Sequence, residues 1–256
     1  MISVRKLTVR KRSKKDGNVI TNLNVEFKEN KNIIIGPNGS GKTTLLKAIL
    51  GTVKYEGNIT CYDQGERCIF STNIDQVYRL YNDSSRAIAK LYLEIIGGDF
   101  DYFISVINRF RMQKILDTRI YKLSTGESKI YGLAMAYSLN SNYILIDEPT
   151  ENLDPSRKAI AEELIIENST RKYLLVTHDL KLISRLNPDK FFIMAYGNLH
   201  GGFTPQDYSR IYFSKNREEN NVGELINGPS HYYLTLDKGD FPLYSFSNME
   251  EILGGE

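Results

Sequence analysis

Residues 36–43 run Gly36-Pro37-Asn38-Gly39-Ser40-Gly41-Lys42-Thr43, a G-x-x-x-x-G-K-[ST] spacing set between the apolar, β-branched "KNIII" and the apolar helical stretch "TLLKAILG". These residue types at this spacing suit an anion. Glycines let backbone N–H groups turn inward and approach oxygens with no side chain in the way. A helix starting near Lys42 adds the positive end of its dipole. Lys42 can reach β- and γ-phosphates, the Thr43 hydroxyl can bind Mg²⁺, and Thr44 is placed for an α-phosphate. A second stretch, "YILIDEPT" at 143–150, ends an apolar strand in two adjacent carboxylates, Asp147 and Glu148. Neighbouring negative charges at a strand end need a cation or a task. Asp147 suits a Mg²⁺-associated carboxylate, and Glu148 a general base that polarises an attacking water.

Such groups need a scaffold. Residues 2–10 alternate as a strand, and Asp16-Gly17-Asn18 signals a turn before a second strand near 19–27. Residues 57–72 suggest a hairpin around Gln64-Gly65, and 76–120 turn helical. A helix in "SKIYGLAMAYSL", the strand ending at Asp147, a polar helix around 155–168, the strand "KYLLVTHDL", a helix and the strand "DKFFIMAYG" follow in order. Alternation of strand and helix predicts an α/β fold with a mostly parallel sheet. Beyond about residue 203 the pattern changes, and "HYYLTLDKGDFPLYSFS" predicts a hairpin turning at Lys238-Gly239 in a small C-terminal appendage. In "KLSTGESKIYG" at 122–132, Ser124 precedes Glu127 by three residues, the spacing of a capping box. With a flexible Gly126 that helix start is also an anion site.

Composition narrows the class. Hydrophobic residues make up 41% and charged residues 25%, with a net charge of +2, which does not describe a nucleic-acid-binding polycation. The basic bias is local: residues 4–15, "VRKLTVRKRSKK", hold no acid. They fit a solvated strand edge and loop; attraction to nucleotide phosphates, anionic lipid or RNA is the second reading. No apolar run approaches the ~20 residues that span a bilayer. The first residues lack the apolar core of a signal peptide, so a cytoplasmic chain is expected, reaching the membrane only through a partner. Cys61 and Cys68 face each other if Gln64-Gly65 is a hairpin loop, but a reducing cytoplasm predicts two free thiols.

The order of the glycine-rich loop, "LSTGE", "ILIDEPT", "NLDP" and "LLVTHD" resembles the ATP-binding-cassette (ABC) ATPases over roughly residues 1–202. The resemblance implies a P-loop NTPase core with a mostly parallel sheet, an N-terminal antiparallel β subdomain and a helical subdomain inserted at about 76–141. It leaves 203–256 as the appendage. It implies MgATP on Gly36–Thr44 and Asp147, with Glu148, His178 and Lys42 catalytic, His178 as the switch histidine touching the γ-phosphate. Ser124 and Gly126 would meet the ATP of a second cassette, identical or different, and Asp154 in the D-loop would communicate across the seam. The phrase around "LSTGE" and the helical block are similar to the ATPase subunits of exporters, which work with a separate transmembrane permease docked beside residues 73–100. A soluble ABC protein acting on ribosomes, RNA or DNA is the alternative, with nucleic acid as its partner. Three departures stand out. Thr125 and Glu127 replace a glycine and a glutamine of the family's commonest LSGGQ form, and the loop from Arg10 to Gly17 lacks the aromatic that usually stacks on adenine. The Q-loop glutamine, a Mg²⁺ contact, falls on Gln76, with Asn73 as the other candidate.

Overall fold

The computed structural model describes residues 1–10, 18–74, 80–168, 170–217, 219–227 and 230–253. Gln76 and the turn at Asp16-Gly17 lie outside the described residues. The chain divides into two compact units, Met1–Arg67 with Leu174–Glu256, and Cys68–Tyr173.

In the first unit, β1 (Ile2–Arg10) lies between β2 (Asn18–Phe27) and β4 (Glu56–Asp63) in an antiparallel sheet. Strict alternation would bury Lys6 after Ile2 and Val4. Instead the register shifts between Val4 and Leu7, Lys6 takes a left-handed φ of 51°, and Leu7 and Val9 return to the buried face. Gly57 answers this bulge: a Cβ there would sit 2.5 Å from the Lys6 carbonyl oxygen. The hairpin from β4 to β5 (Glu66–Arg67) sets Tyr62 opposite Arg67 and Asp63 opposite Glu66. Cys61 and Cys68 flank those pairs and are disulfide-bonded, not the free thiols expected from the compartment. Cross-strand register overrode the compartment argument.

Strand β3 (Lys31–Ile35) pairs in parallel with β9 (Lys190–Ala195), and β10 (Asn198–Phe203) closes that edge antiparallel. Ile33, Ile34 and Ile35 are all buried, which is why this strand shows no alternation. β8 (Lys172–Thr177) flanks β3 on its other side. The C-terminal sheet has the order β12 (Asn221–Asn227), β13 (Ser230–Leu236), β11 (Ile211–Ser214), β14 (Phe241–Pro242). The anticipated pairing of the two strands flanking Lys238-Gly239 does not occur, because β11 lies between them and pairs with both. Arg210 fixes this arrangement. Its guanidinium forks onto Asp237 at 2.6 and 2.7 Å, and its carbonyl accepts the Asp237 N–H at 2.7 Å, tying the start of β11 to the end of β13.

The second unit pairs β6 (Phe70–Thr72) in parallel with β7 (Tyr143–Asp147) and carries four helices of interest, α2 (Ser85–Ile96), α3 (Phe100–Arg109), α4 (Thr125–Ser138) and α5 (Pro155–Glu167). Side chains of Ser84, Asp99, Ser124 and Asp154 cap their N-termini. α4 is buried along most of its length, with Tyr131 edge-on to Phe103 at 5.3 Å and its hydroxyl donating to the Ser85 carbonyl. Its last carbonyls, Tyr137 and Leu139, accept from the Arg171 guanidinium at 2.7 and 3.0 Å.

Asn73 follows β6 and behaves as one more rung of the ladder. Its side-chain amide donates to the Asp147 carbonyl at 2.9 Å, and its side-chain oxygen accepts the Asp147 N–H at 2.8 Å. The pair fixes the backbone at the end of β7. Asn73→Ala removes both partners at a site only 8% exposed. Unfolding in denaturant should show a loss of about 1–3 kcal/mol, and Asn73→Gln, one methylene too long for this register, should not restore it.

Candidate active site

The glycine-rich loop leaves β3 and enters α1 (Lys42–Ile49). Neighbouring strands hold its backbone: Gly36 N–H donates to the Thr177 carbonyl at 3.1 Å, and Gly197 N–H to the Ser40 carbonyl at 3.0 Å. No side chain fits at Gly36, where a Cβ would lie 2.0 Å from the Met194 carbonyl oxygen. Gly41 caps α1 in a left-handed conformation, φ 107°, and, having no side chain, makes no side-chain cap hydrogen bond. No acid lies in that first turn either. The N-terminus is therefore equipped for an anion from outside. Lys42 is almost wholly buried and donates from Nζ to the carbonyls of Gly36 and Pro37, at 2.6 and 2.9 Å. It is folded over its own loop.

Beside Thr44 opens a cavity of about 750 Å³, bounded also by Val9, Val19, Lys54 and Tyr55. An Arg10–Glu56 ion pair at 2.9 Å belongs to its wall. Tyr55 is the one aromatic among the lining residues described, and it is partly exposed. The loop from Arg10 to Gly17 holds no aromatic, whereas Tyr55, from the segment after α1, lies beside Thr44 in this lining. His178 follows β8, in the same unit as Gly36–Thr44, and its carbonyl accepts the Met249 N–H at 3.2 Å.

The second unit holds Asp147, Glu148, Ser124, Gly126 and Asp154. Glu148 is 8% exposed and adopts φ 45°, left-handed geometry that L-residues avoid. Its carbonyl accepts from the Glu151 N–H at 3.2 Å, a tight turn after β7, and Lys129 reaches Glu151 at 3.4 Å. The expected capping box is present: Glu127 N–H donates to Ser124 Oγ at 3.3 Å, and the Glu127 carboxylate accepts the Ser124 N–H at 2.8 Å. The acid that replaces a glutamine is thus committed to its own helix end. Gly126 is helical, not loosened. Its lack of a side chain serves a close approach, since a Cβ would meet the Asn152 carbonyl at 3.0 Å. Asp154 caps α5 by accepting the Arg157 N–H at 3.1 Å. Gln76 lies outside the described residues, while the Asn73 amide serves Asp147.

A family model described as ABC transporter matches residues 20–151. The zinc import ATP-binding protein ZnuC of Rickettsia conorii is 34% identical over 178 residues, covering 66% of this chain and 74% of that protein. The energy-coupling factor transporter ATP-binding protein EcfA1 of Mycoplasmoides gallisepticum is 28% identical over 198 residues, 71% of this chain and 70% of its own. A solved ATP-binding protein named for cobalt transport, cbiO-2, superposes with a TM-score of 0.83 at 26% identity over 99% of both chains. The chain belongs to the ABC transporter family, as a nucleotide-binding ATPase subunit with the α/β cassette fold.

The contact between Gly126 and Asn152 yields a test. Gly126→Ala pushes on the turn that carries Asn152, without touching the glycine-rich loop. Equilibrium binding of ATP should stay within twofold of the unmodified chain, whereas steady-state phosphate release should fall by about 10-fold or more, as small displacements of positioning groups do.

Proposed function

We propose that this chain powers transport through separate membrane subunits by binding and hydrolysing MgATP in a dimer of cassettes, at the cytoplasmic face of the membrane. What carries the transport reading is α2. Leu91 and Ile95, one turn apart, are 52% and 73% exposed, and Ile96 on the same helix is exposed too. Family membership makes a permease the partner that such a surface fits. No helix among the described residues is long and apolar enough to cross a membrane. Relatives named for zinc import and tungstate uptake favour inward transport over the exporter likeness of the sequence. Residues 1–202 serve as the ATPase domain and 203–256 as an appendage.

In this reading the amides of Gly36–Thr44 and the released Lys42 take the triphosphate, and the base enters the cavity beside Thr44 against Tyr55. By the family resemblance, Thr43 and Asp147 would be the protein oxygens offered to Mg²⁺, an ion that needs only one or two protein ligands beside phosphate and water. Mg²⁺ would offset phosphate charge. Glu148 polarises the attacking water, and His178 contacts the γ-phosphate. Ser124 and Gly126 face the nucleotide of a second cassette, and Asp154 lies at the seam. The chemistry is positioning and charge stabilisation, with no covalent enzyme intermediate. The alternative, action on RNA, DNA or ribosomes, draws on the basic run at 4–15, of which residues 11–15 lie outside the described residues.

Three measurements bear on this. Glu148→Gln should keep ATP binding and lose turnover by about 10²-fold or more; unchanged phosphate release would remove the general-base assignment. Tyr55→Trp, in a chain without tryptophan, should show fluorescence quenched by ATP, and Tyr55→Ala should weaken ATP and GTP alike, because stacking is tolerant of base identity. Ile95→Asp should leave unfolding stability within about 0.5 kcal/mol yet lose the membrane protein that co-purifies from detergent extracts. Recovery of ribosomal or DNA-repair proteins instead would overturn the transport reading.

A further inference from the structure

The last described segment of the chain returns to the phosphate loop. Beyond the C-terminal sheet it runs beside the residues that follow β8. Leu180 N–H donates to the Ser247 carbonyl at 3.2 Å, Asp179 and Asn248 form an antiparallel bridge, and Met249 N–H donates to the His178 carbonyl at 3.2 Å. The Met249 side chain is fully buried, so this register is anchored. The next residue, Glu250, opens a short helix, Glu250–Leu253, and reaches across to the glycine-rich loop. Its Oε1 accepts the backbone N–H of Asn38 at 2.9 Å.

Two neighbouring acids divide the work. Glu251 is used locally: its carboxylate accepts the Ser247 N–H at 3.0 Å and the Asn248 side-chain amide at 3.2 Å. The Glu250 carboxylate instead spans 212 residues of sequence to an amide inside the phosphate loop. Asn38 sits between Gly36 and Gly39, in the run of backbone donors that the loop presents to phosphate. A carboxylate and a phosphate oxygen compete for that donor, and their like charges oppose joint occupancy of so small a concavity.

We infer that Glu250 is a built-in competitor for nucleotide phosphate: it holds the Asn38 amide in the nucleotide-free chain and is displaced when ATP or ADP binds. Displacement is transmitted, because the residue before it is bonded to the His178 carbonyl. The same 247–250 segment thus reports occupancy of the phosphate loop both to the switch histidine and to the C-terminal sheet. The inference rests on nucleotide binding by residues 36–44, and not on the transport reading.

The test uses the full chain and ADP, which binds without turnover. Glu250→Ala and Glu250→Gln should bind MgADP tighter than the unmodified chain by about 3- to 10-fold, the factor expected when the competent state rises from about a tenth or a third of the population to nearly all of it. Glu219→Gln, an exposed carboxylate of the same C-terminal region, should leave affinity unchanged and so controls for the loss of one negative charge. In the unmodified chain, amide hydrogen exchange at 247–253 should speed up on adding MgADP. Equal or weaker affinity in both Glu250 variants overturns the competitor, as does exchange at 247–253 that does not respond. Absence of any ADP binding by the unmodified chain would instead overturn the nucleotide site itself.

Discussion

A row of backbone N–H groups must point into one small concavity with no side chain in the way, and the first unit is organised around that requirement. Three strands converge to meet it. β3 delivers the loop, β8 accepts the Gly36 N–H through Thr177, and β9 presses the Met194 carbonyl so close to Gly36 that any side chain would clash. Just past β9, Gly197 ties down the Ser40 carbonyl. The loop carries carbonyls as well as amides, and Lys42 folds onto two of them. A cation bound to its own loop prevents buried, uncompensated charge while leaving the helix-end amides without a side-chain cap.

The second unit solves a different problem, holding the adjacent carboxylates Asp147 and Glu148 at the end of a strand. Asp147 is fixed through its backbone by Asn73. Glu148 follows directly in a left-handed conformation that costs about 1–2 kcal/mol for an L-residue. Asn152, four residues on, is left-handed too, with φ 59°. Glu148 and Asn152 shape one strained turn, which packs its Asn152 carbonyl on Gly126. Strain of this kind persists only where the surroundings over-determine it, here by the Lys129–Glu151 pair and the Asp154 cap on α5.

Much of this was legible from local pattern. The uninterrupted apolar run at 33–35 announced a strand buried on both faces, and Ser124 with Glu127 announced the cap that the structure contains. Errors arose where partners are remote or register is decisive. β11 inserts between two strands that sequence alone would pair, because Arg210 and Asp237 meet only after folding. The cysteines obeyed hairpin register over a compartment argument. Gly126 looked like a source of flexibility, yet its role is to admit a carbonyl from 26 residues further along the chain.

The sequence by itself determined the chemistry: a glycine-rich loop with Lys42 and Thr43, the carboxylates at 147–148, and a helix start at Ser124. These are short-range patterns, in which residue type and spacing dictate backbone conformation and donor inventory within a few bonds. Tertiary structure alone decided what surrounds them. Tyr55 beside Thr44, Asn73 on Asp147 and Glu250 on Asn38 are separated in sequence by 11, 74 and 212 residues. No local periodicity encodes such meetings, because they depend on how strands order themselves and where the chain turns back.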